Sequence, residues 1–125
     1  MVAHDGTFSL YENGIVYDKQ TGLEWITGPD KDTNWNDAET WVESQRVGGN
    51  GWRMPTLNEL KTLFRKSEGS RNMTPLLKTT GWWVWSGDTE GSTSAWFFCF
   101  DDGFELVYNR QTFRNLRAFA VRSRR

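Results

Sequence analysis

The sequence predicts a single α+β domain over residues 1–125, with an N-terminal hairpin, two helices and a C-terminal antiparallel β meander. Apolar residues recur at helical spacing in two stretches of the first half. Short apolar runs separated by turn sequences fill the second half. The eight Trp and eight Phe favour an irregular β-rich fold over a helix bundle, and 125 residues are enough to bury a core.

The first half supplies the hairpin and the first helix. Residues 15–17 and 23–26 form two β runs around a glycine-bearing turn at 19–22. The terminus before them, which carries the single histidine His4, is expected to fray. Either Thr33 or Asn34 caps a helix over 35–45, whose apolar face consists of Trp35, Ala38, Trp41 and Val42.

The second helix follows a brief strand and Pro55. Thr56 and Glu59 have the spacing of a capping box, in which each side chain bonds a backbone amide of the other. The predicted buried stripe of this helix is Leu57, Leu60, Leu63 and Phe64.

Four β runs complete the chain, at residues 82–86, 94–100, 104–108 and 116–122. Strand alternation puts Trp83 and Trp85 on one face and Trp82 on the other. We expect Trp85 to be buried with its indole N–H bonded, Trp83 to share its face, and Trp82 to be the more exposed ring.

Catalytic chemistry has little support in the sequence. A Ser–His or Cys–His pair would need His4, and Cys99 lies within an apolar run, where an inert buried thiol is expected. One cysteine also excludes an internal disulfide and a cysteine-based zinc site. The chain is therefore predicted not to be an enzyme.

The loop before the first helix has oxygen-bearing side chains at alternate positions, Asp30, Asp32 and Asn34. Trp35 and Trp41 then occupy the positions of the turn glycine and the bidentate acid of an EF-hand. Helix capping and loop solvation are the favoured roles, and no cofactor is predicted. Calcium held by other ligands is the alternative.

Charge is unevenly distributed although the formal net charge is only -1. Residues 1–50 hold nine acids and three bases, whereas six arginines and no acid follow Leu106. These arginines either steer a polyanion or neutralise the acidic half when the two ends of the chain meet, and the second is favoured. The slightly negative total disfavours nucleic acid as a partner.

Neither a membrane span nor a signal peptide is predicted. No run of apolar residues approaches 18, and the first ten residues lack a basic and an apolar segment. The compartment is left undetermined.

Several phrases follow the order and spacing of one bacterial family. The most specific is Trp52-Arg53-Met54-Pro55-Thr56, followed by Glu59 and Leu60, and Thr21-Gly22-Leu23 and Trp85-Ser86 support it. From about Gly14 to Arg122 the chain resembles the Lcl C-terminal domain family, named for the end domain of the Legionella collagen-like adhesin.

The resemblance implies a fold related to C-type lectins and to the formylglycine-generating enzyme. It also implies non-enzymatic adhesion, with glycosaminoglycan binding and a homotrimer in the namesake, and export to the cell surface. Members often carry cysteines where this chain has Val42 and Ala120, so the disulfide expected of an exported member is missing.

A glycan- or polyanion-binding module is therefore the predicted function, and a structural module that binds another protein is the alternative. The predicted ligand-binding residues lie in the turns and strands of the meander: Trp82, Asp88, Trp96, Asp102, Arg110, Gln111 and Arg114.

Overall fold

The computed structural model describes residues 1–124, in which nine strands and two helices form two sheets with helical cover. The elements are β1 Ala3–Asp5, β2 Phe8–Leu10, β3 Val16–Asp18, β4 Leu23–Thr27, α1 Trp35–Glu43, α2 Leu57–Leu63, β5 Trp83–Glu90, β6 Ser94–Cys99, β7 Phe104–Asn109, β8 Leu116–Arg117 and β9 Phe119–Ser123. The prediction of an α+β fold with two helices and mainly antiparallel sheets is confirmed.

The first sheet has the strand order β1-β2-β3-β4-β9 and is antiparallel throughout. The predicted hairpin is its β3–β4 pair, with Val16 opposite Trp25. The expectation of a frayed terminus was wrong, because β1 and β2 form a second hairpin around Gly6. Phe8, only 3% exposed, anchors that hairpin in the core.

The second sheet has the order β7-β6-β5-β8. Its first three strands are the predicted antiparallel meander. The fourth run was predicted as one more meander strand, and this was wrong. β8 pairs parallel to β5, and after Ala118 the chain crosses to the first sheet, where β9 pairs with β4. Burial of Phe119 and Val121 among the side chains of the first sheet accounts for the crossing.

Both helices begin at the predicted caps. The Asn34 side chain accepts a bond from the Asp37 amide at 2.8 Å, and the capping box of α2 is complete. Glu59 also receives two 2.7 Å bonds from the Arg53 guanidinium, which fixes the segment that enters α2. Of the predicted stripe, Leu60 and Leu63 are fully buried, whereas the two end residues are half-buried.

Both faces of the second sheet are buried over part of their area. One face carries Val84 and Phe98 into a cluster with α2 and the first sheet. The other carries Trp85 and Phe97 into a cluster with α1. The second sheet is therefore the central layer of the molecule.

The three neighbouring tryptophans divide differently from the prediction. Trp85 is fully buried and donates its indole N–H to the Thr33 carbonyl at 2.9 Å, as expected. Trp83 lies on the Trp85 face and Trp82 on the other, as expected, but both residues are half-buried, so Trp83 is less buried than its place beside Trp85 suggested. The indole of Trp35 in α1 bonds the Ser86 carbonyl, so the helix covers the Trp85 end of this face.

Arg117 connects three separate segments where the chain passes between the sheets. Its guanidinium, in a residue only 8% exposed, contacts Asp30 at 2.9 Å and Asp32 at 3.0 Å. Gly81 packs on the stem of Arg117, where a Cβ atom would collide with Cγ. Asp30 also accepts a 2.9 Å bond from the Thr80 amide. The loop that resembles a calcium loop thus directs two carboxylates at an arginine.

A second contact of this kind joins Arg122 to Glu24 at 2.7 Å. The favoured interpretation of the charge asymmetry, that the C-terminal arginines neutralise the acidic half, is confirmed for Arg117 and Arg122. Arg125 lies outside the described residues.

Replacing Trp85 by Ala should lower the free energy of unfolding by about 3–5 kcal/mol, because it removes a buried ring and leaves a cavity. Urea denaturation measures this. The matched variant Trp82→Ala should cost clearly less, since that ring is half-buried. Equal losses would contradict the assignment of Trp85 to the core.

Acid should destabilise the protein through Asp30. The Thr80 amide and the Arg117 guanidinium lower the pKa of Asp30 from 3.8 to about 2. A carboxyl with a lowered pKa in the folded state contributes stability above its unfolded pKa and loses it as the pH falls through the folded value. Asp30→Asn should therefore lose less stability than the wild type between about pH 4 and pH 2, as measured by urea denaturation.

The exposed turn residue Asp102 provides the control for that measurement. Asp102→Asn should keep the acid dependence of the wild type, and an identical slope for Asp30→Asn and the wild type would contradict the prediction.

Candidate functional site

A β-bulge at residues 86–88 connects the second sheet to the start of α2. Pairing between β5 and β6 shifts register between Trp85 and Thr89. The Ser86 hydroxyl, inside the bulge, donates to the Trp96 carbonyl at 2.7 Å and so ties the bulge to β6. An irregular backbone at this point gives β5 a local bend and re-aims its side chains.

The same bulge binds the segment that leads into α2. The Gly87 amide donates to the Pro55 carbonyl at 2.7 Å, and the Asp88 carboxylate accepts from the Leu57 amide at 2.8 Å. A Cβ at Gly87 would lie 3.0 Å from the Cβ of Met54, so the close approach favours glycine. These bonds fix α2 against the sheet.

An open groove of about 490 Å³ lies between the exposed side of α2 and the second sheet. Its lining residues are Thr56, Leu57, Asn58, Lys61, Asp88, Trp96 and Glu105. We call this the Trp96 groove. It brings together two of the predicted ligand-binding residues, Asp88 and Trp96.

The Trp96 groove combines one aromatic ring with polar groups of several kinds. Trp96 is half-buried and its indole N–H donates to the Glu90 carboxylate at 3.3 Å. Lys61 and Glu105 form a 2.7 Å ion pair within the lining. With Asp88 included, the formal charge of the lining is slightly negative. The groove therefore offers a stacking surface together with hydrogen-bond donors and acceptors.

Besides Thr56 and Leu57 at the start of α2, three lining residues were not predicted as ligand contacts: Asn58, Lys61 and Glu105. A signal for the first two was present, because the capping box and the buried Leu60 define which side of α2 faces outward. Glu105 follows two acids of the β6–β7 turn in the sequence, and only the position of α2 beside β7 brings it to Lys61.

The other predicted contacts lie elsewhere. Trp82 lies under the Arg71 guanidinium at 4.6 Å. Asp102 is exposed in the turn between β6 and β7, whereas Gln111 and Arg114 are exposed in the connection after β7. None of these four residues lines the Trp96 groove.

The side chain of Arg110 is already engaged in contacts within the fold. Its Nε donates to the Ser94 carbonyl at 3.2 Å and its Nη2 to the Gly91 carbonyl at 3.0 Å. The guanidinium also stacks 4.6 Å from the centre of the Trp35 ring. An anion bound by Arg110 would therefore compete with three existing contacts.

A second polar groove, of about 480 Å³, lies at the ends of the chain and contains Arg122 and Arg124. Arg122 is paired with Glu24, and Arg124 stacks 4.1 Å from the ring of Tyr17. Both guanidinium groups thus have partners already.

Reactive groups are scarce in the described part of the chain. Cys99 is buried, and burial together with nearby acids raises the pKa of its thiol to about 12. A thiol with so high a pKa is a poor nucleophile at neutral pH. Within residues 1–124, His, Cys, Asp and Glu side chains form no group of three or more that would suit a metal ion.

Neither of the helices in the described chain has the length and apolar content required to cross a bilayer.

Comparison with curated proteins gives no significant match. The family described as the Lcl C-terminal domain matches residues 14–122. That span begins just before β3 and ends within β9, so it includes both helices, the bulge and the Trp96 groove but not the β1–β2 hairpin. The chain belongs to the Lcl C-terminal domain family, which is associated with a bacterial adhesin.

Proposed function

We propose that this domain is a non-enzymatic adhesion module that binds a neutral carbohydrate in the Trp96 groove. The observation that supports the proposal most directly is the half-buried Trp96 ring, placed in a groove beside amide, carboxylate and ammonium groups. Family membership supports the adhesive role.

Carbohydrates match this chemistry because a pyranose ring has both an apolar and a polar character. Its C–H face packs on an indole ring, which offers a large rigid surface. Its hydroxyl groups both donate and accept hydrogen bonds. Asn58 provides both functions, Asp88 accepts, and Lys61 donates.

Charge favours a neutral sugar over a sulfated one. Lys61 is the cation of the groove, and Glu105 already neutralises it at 2.7 Å. A polyanion would instead require several free cations arranged along its length. Arg110, one of the two arginines predicted to bind a ligand, already donates to two backbone carbonyls.

The walls of the groove are held by contacts that do not depend on a ligand. The Asp88 bond to the Leu57 amide and the Arg53–Glu59 pair fix α2, while the Ser86 bond fixes β6. A preformed site loses less conformational entropy on binding than a flexible one.

Assembly with another protein is the second candidate function. The observation that favours it is the apolar surface of β7, where Phe104 is 66% exposed. That surface and the ring of Trp96 lie on opposite faces of the sheet. Trp96 pairs with Val107 of β7, and Val107 and Phe104 face opposite sides because side chains alternate along a strand.

Trp96→Ala should weaken binding to a neutral glycan by about tenfold or more, because it removes the stacking surface. A glycan array identifies the ligand, and isothermal titration measures its Kd for the wild type and the variant. Trp96→Phe should retain part of the affinity, since a smaller aromatic face remains.

Phe113→Ala is the matched control, because Phe113 is a 52% exposed aromatic residue that does not line the groove. Its affinity should equal that of the wild type. Heparin on the same array tests the polyanion alternative, and parallel runs with calcium and with chelator test the calcium alternative. If the wild type binds no neutral glycan, or Trp96→Ala binds as well as the wild type, the proposal fails.

A further inference from the structure

β7, at residues Phe104–Asn109, is an edge strand of the second sheet. It pairs with β6 along its full length, from Ser94 opposite Asn109 to Cys99 opposite Phe104. On its other side no strand of the described residues 1–124 is paired with it. Such an edge presents a row of backbone donors and acceptors to any strand that approaches it.

The backbone groups that face outward follow from the antiparallel pattern. The Arg110 amide bonds the Thr93 carbonyl at 2.9 Å, so the next bonded positions along β7 are Tyr108, Leu106 and Phe104. The amides and carbonyls of Glu105 and Val107 therefore point away from β6, whereas the Asn109 carbonyl already accepts a bond from the Thr112 amide at 3.0 Å.

An exposed apolar stripe runs along one face of this strand. Phe104 is 66% exposed, and Leu106 and Tyr108 are each 41% exposed. The ring of Tyr108 lies 5.1 Å from Phe97 and 6.2 Å from Trp83, so the stripe extends a buried aromatic cluster to the surface. Apolar side chains along an open edge favour a partner strand of matching character.

We propose that β7 pairs with β7 of a second copy of this chain, antiparallel about a twofold axis that passes between their Leu106 residues. In this register each Leu106 faces Leu106 of the second copy, and each Phe104 faces a Tyr108. On the opposite face of the sheet each Glu105 lies across from a Val107. The two four-stranded sheets then form one continuous sheet.

The strand is self-complementary in this register in three respects. The bonded pairs are formed by Glu105 and Val107, whose amides and carbonyls are the ones that point outward. Aromatic residues meet aromatic residues, a favourable cross-strand combination. Charge does not oppose the pairing, because Glu105 faces an uncharged residue and is already paired with Lys61 of its own chain.

Analytical ultracentrifugation tests the dimer, with the full chain at concentrations up to about 100 μM, since a single pair of strands is a small interface. The wild type should approach twice the monomer mass as concentration rises. Leu106→Lys and Leu106→Glu should each remain monomeric, because like charges then lie directly opposite one another. An equimolar mixture of the two variants should restore the dimer.

Phe113→Lys is the control, since it makes the same kind of change at an exposed apolar residue outside β7. It should dimerise like the wild type. A circular dichroism melt of each variant confirms that loss of the dimer is not loss of the fold.

Cysteine cross-linking tests the register. The chain has a single cysteine, Cys99, which is buried and 2% exposed. Leu106→Cys should form an intermolecular disulfide under mild oxidation, because directly opposed residues lie close enough for one. Tyr108→Cys should cross-link much less, since its partner in this register is Phe104.

A wild type that stays monomeric over the whole concentration range overturns the proposal. So does the homotrimer that the resemblance to the namesake implies, because a twofold pairing of edges closes at two copies. Cross-linking by Tyr108→Cys that equals or exceeds cross-linking by Leu106→Cys rejects the register.

Discussion

The ion pairs of Arg117 with Asp30 and Asp32 are the contacts on which the arrangement of the two sheets depends. Arg117 ends β8, the last strand of the second sheet, and β9 begins in the first sheet two residues later. The guanidinium joins this crossing to the loop before α1 and to the loop before β5. Because Arg117 is nearly buried, both carboxylates help to compensate for its desolvation. The orientation of α1 against the second sheet depends on the same loop.

The Trp96 groove depends on a second set of contacts, in which structural and candidate binding roles are combined. Asp88 lines the groove and also bonds the Leu57 amide, so it fixes α2 while it offers an acceptor to a ligand. Trp96 is similar, because its backbone carbonyl bonds Ser86 while its ring faces the groove. A substitution at Asp88 would therefore change the shape of the groove together with its chemistry, whereas Asn58 and Lys61 vary the chemistry alone.

Much of the fold could be predicted from short-range patterns. The capping box at Thr56 and the cap at Asn34 are formed by neighbouring residues, and both are present. The run at 116–122 was assigned to one sheet, because an apolar pattern shows that a strand is buried but not which strand it pairs with. The candidate site was found only in part. Asp88 and Trp96 were named because of their residue types, but the docking of α2 that brings Lys61 and Asn58 beside them is a long-range event.

The sequence by itself determined where the helices begin, that three apolar runs form a meander, that Trp85 is buried, and which family the chain belongs to. These features depend on side-chain periodicity and on hydrogen bonds between residues a few positions apart. Only the tertiary structure decided that Arg117 closes the crossing between the sheets, that Arg110 is bonded within the fold, and that β7 has an open edge. Each of these depends on contacts between residues far apart in the chain, whose pairing no local pattern specifies.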